Sequence, residues 1–480
     1  MSDNLEPNHD EVELAAPPRI LLWGCIALVI ISIVGSIASV YIFREVLRPG
    51  QQARVMEYLP FMEAFLPPRP AADATVPTVG APVDENQINN LLSLDLNNTD
   101  TEQPAESTLQ VEITPEITPE ITPEATPEAA MQPSEVVAIV ASPTPQATST
   151  PVPSPTVDPL FLTTVERTWG PSHINTGFEW ARQTWNNCGP TTVTIAMSYY
   201  GWQRDQAYAA QFLKPDREDK NVSPWELVRF VNQQSDLQAL YRYGGDLNLL
   251  RTLVYNGFPV IIERGHMFEG YEWLGHYQAI AGYDDAQRVF FIQDSFLGAD
   301  NVETYEEVEH FWKEFNRLFV VIYDPTREGL LMDILGETYA TIESSAEHAF
   351  EVAQEEARTN PRDAFAYFNM GTSLVQLNRY QEAARAYDIA FSLEQIPWRM
   401  LWYQFGPFRA YYEVGRYDDV LIYVESNLGN GGEYVEETYY WQGRALAAKG
   451  ETNAARSAFR QALRLNRLFE DAQIALNDLG

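Results

Sequence analysis

The hydrophobic pattern divides the chain into stretches that obey different periods. Ile20 to Phe43 is an unbroken run of apolar and small residues without a charge. At about 1.5 Å per residue its length exceeds the roughly 30 Å hydrocarbon core of a bilayer, so it predicts a membrane-spanning helix. The residues before it are acidic and no small-x-small cleavage pattern stands out, which favours an uncleaved anchor over a signal peptide. From Gln51 to Pro159 the periodicity is lost to Pro, Thr, Glu and Ala, and a unit Ile113-Thr-Pro-Glu recurs from Ile117, from Ile121 and, with Ala125, once more. Pro at every fourth position removes helix and ladder hydrogen bonds while the acidic residues repel one another, so an extended linker is expected. A short apolar pattern at Asn86 to Leu96 interrupts it and leaves an interaction segment open.

Beyond that linker, helical and alternating periods mix. Gly189-Pro190 suits a helix start, and Thr191 to Tyr200, closed by Gly201, reads as a short helix. Pro224 to Asn232, Asp246 to Asn256 and Tyr305 to Phe315 are further predicted helices. Pro259 to Arg264 and Leu318 to Tyr323 are predicted strands. His276 to Tyr283 and Arg288 to Asp294 flank the turn Asp284-Asp285-Ala286-Gln287 and predict a hairpin. With its centre near Asp285, His276 would face Asp294, and a slip of one residue would turn one of them to the other face.

The last third is helical and repetitive. Gly371, Asn378, Tyr380, Ala383, Tyr387 and Ala390 fall at the spacings of a tetratricopeptide repeat; Gly415, Tyr417 and Val420 echo it, and Gly443, Gly450, Ala455, Phe459 and Ala462 restate it. Ala346, Phe350 and Ala353 match second-helix positions, which predicts a degenerate first repeat from near Gly329. Leu468 to Leu479 reads as a capping helix. Trp398, Trp402 and Tyr403 are expected in the repeat core. The expected division is an acidic tail over 1–19, the span over 20–43, the linker over 44–159, an α+β domain over 160–327 and an all-α solenoid over 328–480.

The charge sharpens this picture. A formal net charge of -35 disfavours nucleic acid as a partner, because a polyanion is repelled. Of the two cysteines, Cys25 lies in the apolar span, so the folded domains have no disulfide framework and rest on apolar cores.

The other cysteine is the chemical lead. Cys188 stands where a helix begins, and the helix dipole with its unsatisfied N–H groups favours thiolate over thiol. An activated thiolate needs a base, an orienting group and oxyanion donors. The hairpin offers His276 and Asp294 for the first two. No His or Cys spacing suggests zinc, and His173, His266, His310 and His348 read as structural or surface residues. Trp185 and Trp273 flank the two segments as cleft wall or core.

Gln183, then Cys188-Gly-Pro-Thr, Gly275-His276-Tyr and Gln293-Asp294 resemble the motifs of papain-like cysteine peptidases, most closely the family that removes bacteriocin leader peptides. The resemblance covers about Thr163 to Pro325. It implies a papain-like fold with Cys188 as nucleophile, His276 as general base and acid, Asp294 as orienter, and Gln183 with the Cys188 N–H as oxyanion donors. The chain departs from the family's exporter members in two ways. It has no phosphate-binding loop of an export ATPase, and Asn187 stands where those proteins commonly carry Asp.

The expected function is a membrane-anchored cysteine peptidase acting on a peptide or protein, without metal or organic cofactor, whose repeats bind a protein partner or serve as a spacer or dock. A catalytically silent surface scaffold and an acyl-transferring transpeptidase or amidase are the alternatives. The arginine count around the span favours a cytoplasmic C-terminal side, with Arg19 before it and Arg44, Arg48 and Arg54 after it. The linker composition favours the cell exterior, and an extracellular location is the expectation.

Overall fold

The structure, a computed structural model, describes residues 19–66, 74–80, 82–96, 169–267 and 272–480. The acidic tail before Arg19 and the Ile113-Thr-Pro-Glu repeats lie outside the described residues. Helix α1 (Arg19–Tyr41) continues through a π-helical turn, Ile42–Val46. The stretch Ala27–Val46 is long and apolar enough to cross a membrane.

Part of the expected linker is folded onto the body. Helix α2 (Pro49–Tyr58) has Pro at its first position, and α3 (Glu85–Leu92) is closed by an Asp84/Gln87 capping box. Between them Val76 N–H donates to the Ile396 carbonyl (2.9 Å) and Trp398 N–H to Ala74 (3.2 Å). Gln354 caps the end of α3, donating to Leu91 and Leu94 carbonyls at 3.1 and 3.0 Å. The short apolar pattern near Asn86 is thus a docking helix, with Leu91 buried.

The α+β region is one antiparallel sheet. Its strands are β1 (Ser172–Ile174), β2 (Gln238–Arg242), β3 (Val260–His266), β4 (Leu274–Asp284), β5 (Val289–Asp294), β6 (Gly298–Thr304) and β7 (Phe319–Tyr323). The order is β2-β7-β3-β4-β5-β6, with β1 pairing the far end of β4 at Gly282 to Asp284. Alternation explains the layers. Val260, Ile262, Phe319 and Val321 join one core with Leu250, Leu253, Val308 and Trp312, from helices α7 (Leu247–Tyr255) and α8 (Tyr305–Trp312). Ile261, Val320 and Ile322 join the opposite core with Val193, Met197, Leu213, Leu227 and Phe230, from α4 (Cys188–Ser198), α5 (Gln206–Leu213) and α6 (Pro224–Gln234). Both faces are covered, so these strands are apolar runs rather than alternating ones.

The helix α9 (Glu328–Leu335) departs from expectation. It was predicted to open a degenerate repeat, but Leu330, Leu331, Leu335 and the following Tyr339 pack into the first core beside α7. The sheet's core therefore extends past residue 327, and Arg327 is itself buried, donating to the Gly257 and Asn256 carbonyls. The solenoid proper runs through α10 (Ile342–Thr359), α11 (Ala364–Gln376), α12 (Tyr380–Ser392), α13 (Gly406–Glu413), α14 (Tyr417–Gly429), α15 (Glu436–Ala448), α16 (Thr452–Leu465) and α17 (Glu470–Asp478).

This array is docked on the α+β region. Gly244 adopts φ +71° and an added Cβ would stand 2.9 Å from Ala349 on α10, so only glycine allows this approach. Arg317 pairs with Glu356 at 2.5 Å and Lys313 with Asp363 at 2.6 Å. Trp398 and Trp402 cluster with Val435 of the array, with Tyr403 and Phe405 packed against them, and Trp402 and Tyr403 also reach the α+β region. Lys220 lies 4.3 Å above the Trp402 ring and donates to the Gly431 carbonyl, and Tyr403 packs 6.1 Å from Trp273.

Leu331→Ala should destabilise the protein by about 3 kcal/mol, read as a lower denaturant midpoint, because it leaves a cavity in the sheet core. A midpoint equal to wild type would place α9 outside that core. Cutting an engineered protease site between residues 115 and 150 should leave the two pieces associated on size exclusion, since residues 74–94 are bonded to the array. Separation of the pieces without denaturant would contradict that packing.

Candidate active site

Three local features bring the candidate groups together. Cys188 is the first residue of α4, following Asn187, and the Thr192 hydroxyl donates to the Tyr277 carbonyl at 3.1 Å. That bond seats the first turn of α4 against β4 beside His276. The preceding loop is bent at Asn186, with φ 51°, and Gln206 clamps it: its Oε1 accepts from Thr184 N (2.9 Å), Asn187 Nδ2 (2.7 Å) and Thr191 Oγ1 (2.9 Å).

The candidate base is buried. His276 Nε2 lies 3.1 Å from Asp294 Oδ2, which leaves Nδ1 for the thiol side. Asp294 is buried, and four donors saturate it. Gln278 Nε2 reaches Oδ2 at 2.8 Å beside His276, while Phe296 and Leu297 N–H groups donate to Oδ1 at 2.6 and 2.7 Å. Gln278 also donates to Glu303, which pairs with the buried Arg264.

The hairpin register differs from the expected one. Ala279 pairs with Gln293 and Ile280 with Ile292, so the next step sets Asp294 beside Gln278, two residues from His276. The turn is centred later than Asp285, and a bulge lies between Ile280 and Gly282. A shift of two preserves the face, so His276 and Gln278 both reach the carboxylate.

Electrostatics follow from this enclosure. Burial pushes the Cys188 thiol up, but the hydrogen bond and charge of His276, with Lys214 nearby, bring it below its ordinary value. Burial pushes His276 down, but the Asp294 charge and hydrogen bond, with Cys188, raise it to about 10. Burial alone would raise Asp294; His276 and the backbone donors hold it well below the usual carboxylate range. The favoured state is thiolate and imidazolium.

Gln183 is joined to the same strand end. Its N–H donates to the Ser295 carbonyl at 2.8 Å and its Oε1 accepts from Ser295 Oγ at 2.7 Å, leaving the amide NH2 as the donor end. Sequence reasoning missed Ser295, Gln206 and Lys214. Only Gln278 carried a signal, its i+2 spacing from His276. The remaining histidines stay outside this cluster. His173 bonds Asn175 at 3.1 Å, and His266, its ring 6.1 Å from that of His276, is pushed down to about 4 by burial and the Arg264 charge. Trp273 is buried and donates to Glu314 at 2.7 Å, and Trp185 donates to Glu218 at 2.8 Å. Among the described residues, no group of three or more His, Cys, Asp or Glu is arranged to hold a metal ion.

Residues 175–320 match the family described as Peptidase_C39 like family, and residues 436–467 match the tetratricopeptide repeat. No curated protein matches the chain. Among solved structures, a C39-like peptidase from Bacillus anthracis is similar at 16% identity over 32% of this chain and 96% of that one, with a TM-score of 0.27. A double glycine motif protease from an AMS/PCAT transporter, solved with its leader peptide, is similar at 17% identity over 33% and 96%, TM-score 0.24. A MamA RS-1 double mutant is similar at 21% over 28% and 74%, TM-score 0.25. The α+β region is thus similar to the C39-like family, and the helical array that follows it carries a segment similar to the tetratricopeptide repeat.

Proposed function

We propose that this protein is a membrane-anchored cysteine peptidase. The observation that carries the proposal is the enclosed His276–Asp294 pair at 3.1 Å beside a thiol whose titration His276 lowers. Cys188 thiolate attacks the scissile carbonyl, forming the carbon–sulfur bond and a tetrahedral oxyanion. The Gln183 amide and the Cys188 N–H donate to that oxyanion. His276 gives its proton to the leaving amine, and the neutral imidazole then takes one from the water that releases the acyl group. Asp294 keeps the imidazolium oriented throughout. No metal or organic cofactor enters these steps.

The anchor is α1, and the linker composition favours folded domains outside the cell. The repeats offer a surface for a protein partner, although part of that surface is taken by the α+β region and by residues 74–94. The domain division is 160–327 for the peptidase and 328–480 for the array, with α9 shared with the peptidase core.

His276→Ala and Cys188→Ala should each lower kcat/KM on a peptide substrate by about 10³-fold or more, and Gln183→Ala by about 10²-fold. Asp294→Asn should retain more activity than Asp294→Ala. Wild-type turnover by Cys188→Ala would end the assignment.

Activity should follow the ion pair. The acid limb of kcat/KM reports the thiol and should lie below the roughly 8.5 of a free thiol, while the alkaline limb should lie near 10, where His276 loses its proton. Asp294→Asn removes the charge that raises His276, so the alkaline limb should move to lower pH. A single titration at or above 8.5 in wild type would contradict the pair.

A further inference from the structure

The end of the spanning helix is tied to the nucleophile loop. Gln52 Nε2 on α2 donates to the carbonyls of Phe43 (2.9 Å) and Arg44 (3.2 Å), so α2 is bonded to the last turns of the span. Arg48 Nη1 pairs with Asp216 Oδ1 at 3.2 Å, and the Gly50 N–H donates to Glu218 Oε2 at 2.9 Å. The same Glu218 oxygen accepts from the indole of Trp185, three residues before Cys188. The approach at Gly50 is close: a Cβ there would lie 3.1 Å from both Trp185 Cδ1 and Glu218 Oε1, so the two side chains would have to shift.

Chain geometry then limits the height of the cleft. Gly50 lies four positions after Val46, and Cys188 three positions after Trp185. At about 3.5 Å per residue, plus one side-chain contact, the nucleophile lies within roughly 30 Å of the end of the span. Tyr58, the last residue of α2, and Leu59, Phe61 and Phe65 just after it are all exposed, and exposed aromatic residues next to a membrane span favour the headgroup layer.

We propose that the cleft is held at the bilayer surface by the Arg48–Asp216 and Gly50–Glu218 contacts, and that its substrates are juxtamembrane segments of membrane-anchored polypeptides. The proposal rests on Cys188 as nucleophile and α1 as the span.

The test uses the full chain in phosphatidylcholine vesicles, with flotation reporting the anchor separately. A peptidyl fluoromethyl ketone is supplied free in solution, or attached to a lipid through a short or a long spacer. The free probe should label Cys188 in a His276-dependent manner, and failure of that step alone counts against the peptidase assignment. The short-tethered probe should label wild type at least about tenfold faster than the double variant Arg48→Glu/Gly50→Leu, while the free probe labels both alike. Equal labelling by the short tether, or labelling of wild type by the long tether only, would overturn the placement. A phospholipid with a photoreactive headgroup gives a readout independent of the thiol. Crosslinks should map to residues 58–65 and to the exposed Trp185 loop, and their absence from that loop would overturn the proposal even if the double variant failed to fold.

Discussion

A single carboxylate removed from water sets the state of the whole site. Asp294 is buried at the end of β5 and keeps its charge because two side chains and two backbone N–H groups donate to it. A bare carboxylate in that position would be neutral. With the charge retained, His276 holds its proton to about pH 10, and the imidazolium in turn draws the thiol down. The neighbouring Ser295 carries the second half of the arrangement, fixing Gln183 through backbone and side chain. One strand end thus orients both the candidate base and the candidate oxyanion donor.

The elements around this strand end are positioned by contacts remote from the chemistry. Gln206 on α5 holds the loop ahead of Cys188, and Thr192 holds the helix that follows. The array adds a further wall: Arg399 pairs with Glu272 at 2.7 Å and Tyr403 packs near Trp273, both beside the strand that carries His276. The repeats act here as a structural support, consistent with their aromatic and small-residue packing.

The junction between the array and the α+β region buries several acidic side chains. Asp219, Glu226, Glu436 and Glu437 are all buried there; Asn221 donates to Glu437 at 3.2 Å and Asn466 to Glu436 at 2.8 Å. Burial, with repulsion from Glu436, pushes Glu226 up to about 8, and burial likewise raises Asp219, Glu436 and Glu437. Bound protons, more than pairing with cations, offset the burial of these groups.

The sequence by itself determined the elements whose signals are local. The uncharged span, the repeat spacings from Gly371 to Ala462, the helix after Gly189-Pro190 and the motifs around Cys188 and His276 were all legible, because period, turn chemistry and residue type act within a few positions. Tertiary structure decided the rest. Which residue faces Asp294 depended on a turn centre and a bulge, and only the even shift of two kept His276 within reach. Helix α9 reads like a repeat helix, yet its leucines bury against α7, since an amphipathic stripe does not name its partner. Strands β1, β2 and β6 and helix α5 were missed because they are short and take their stability from pairing and packing across the fold. The docking of residues 48–50 and 74–94 was hidden by composition, for it rests on glycine approach, single ion pairs and backbone bonds that have no sequence period.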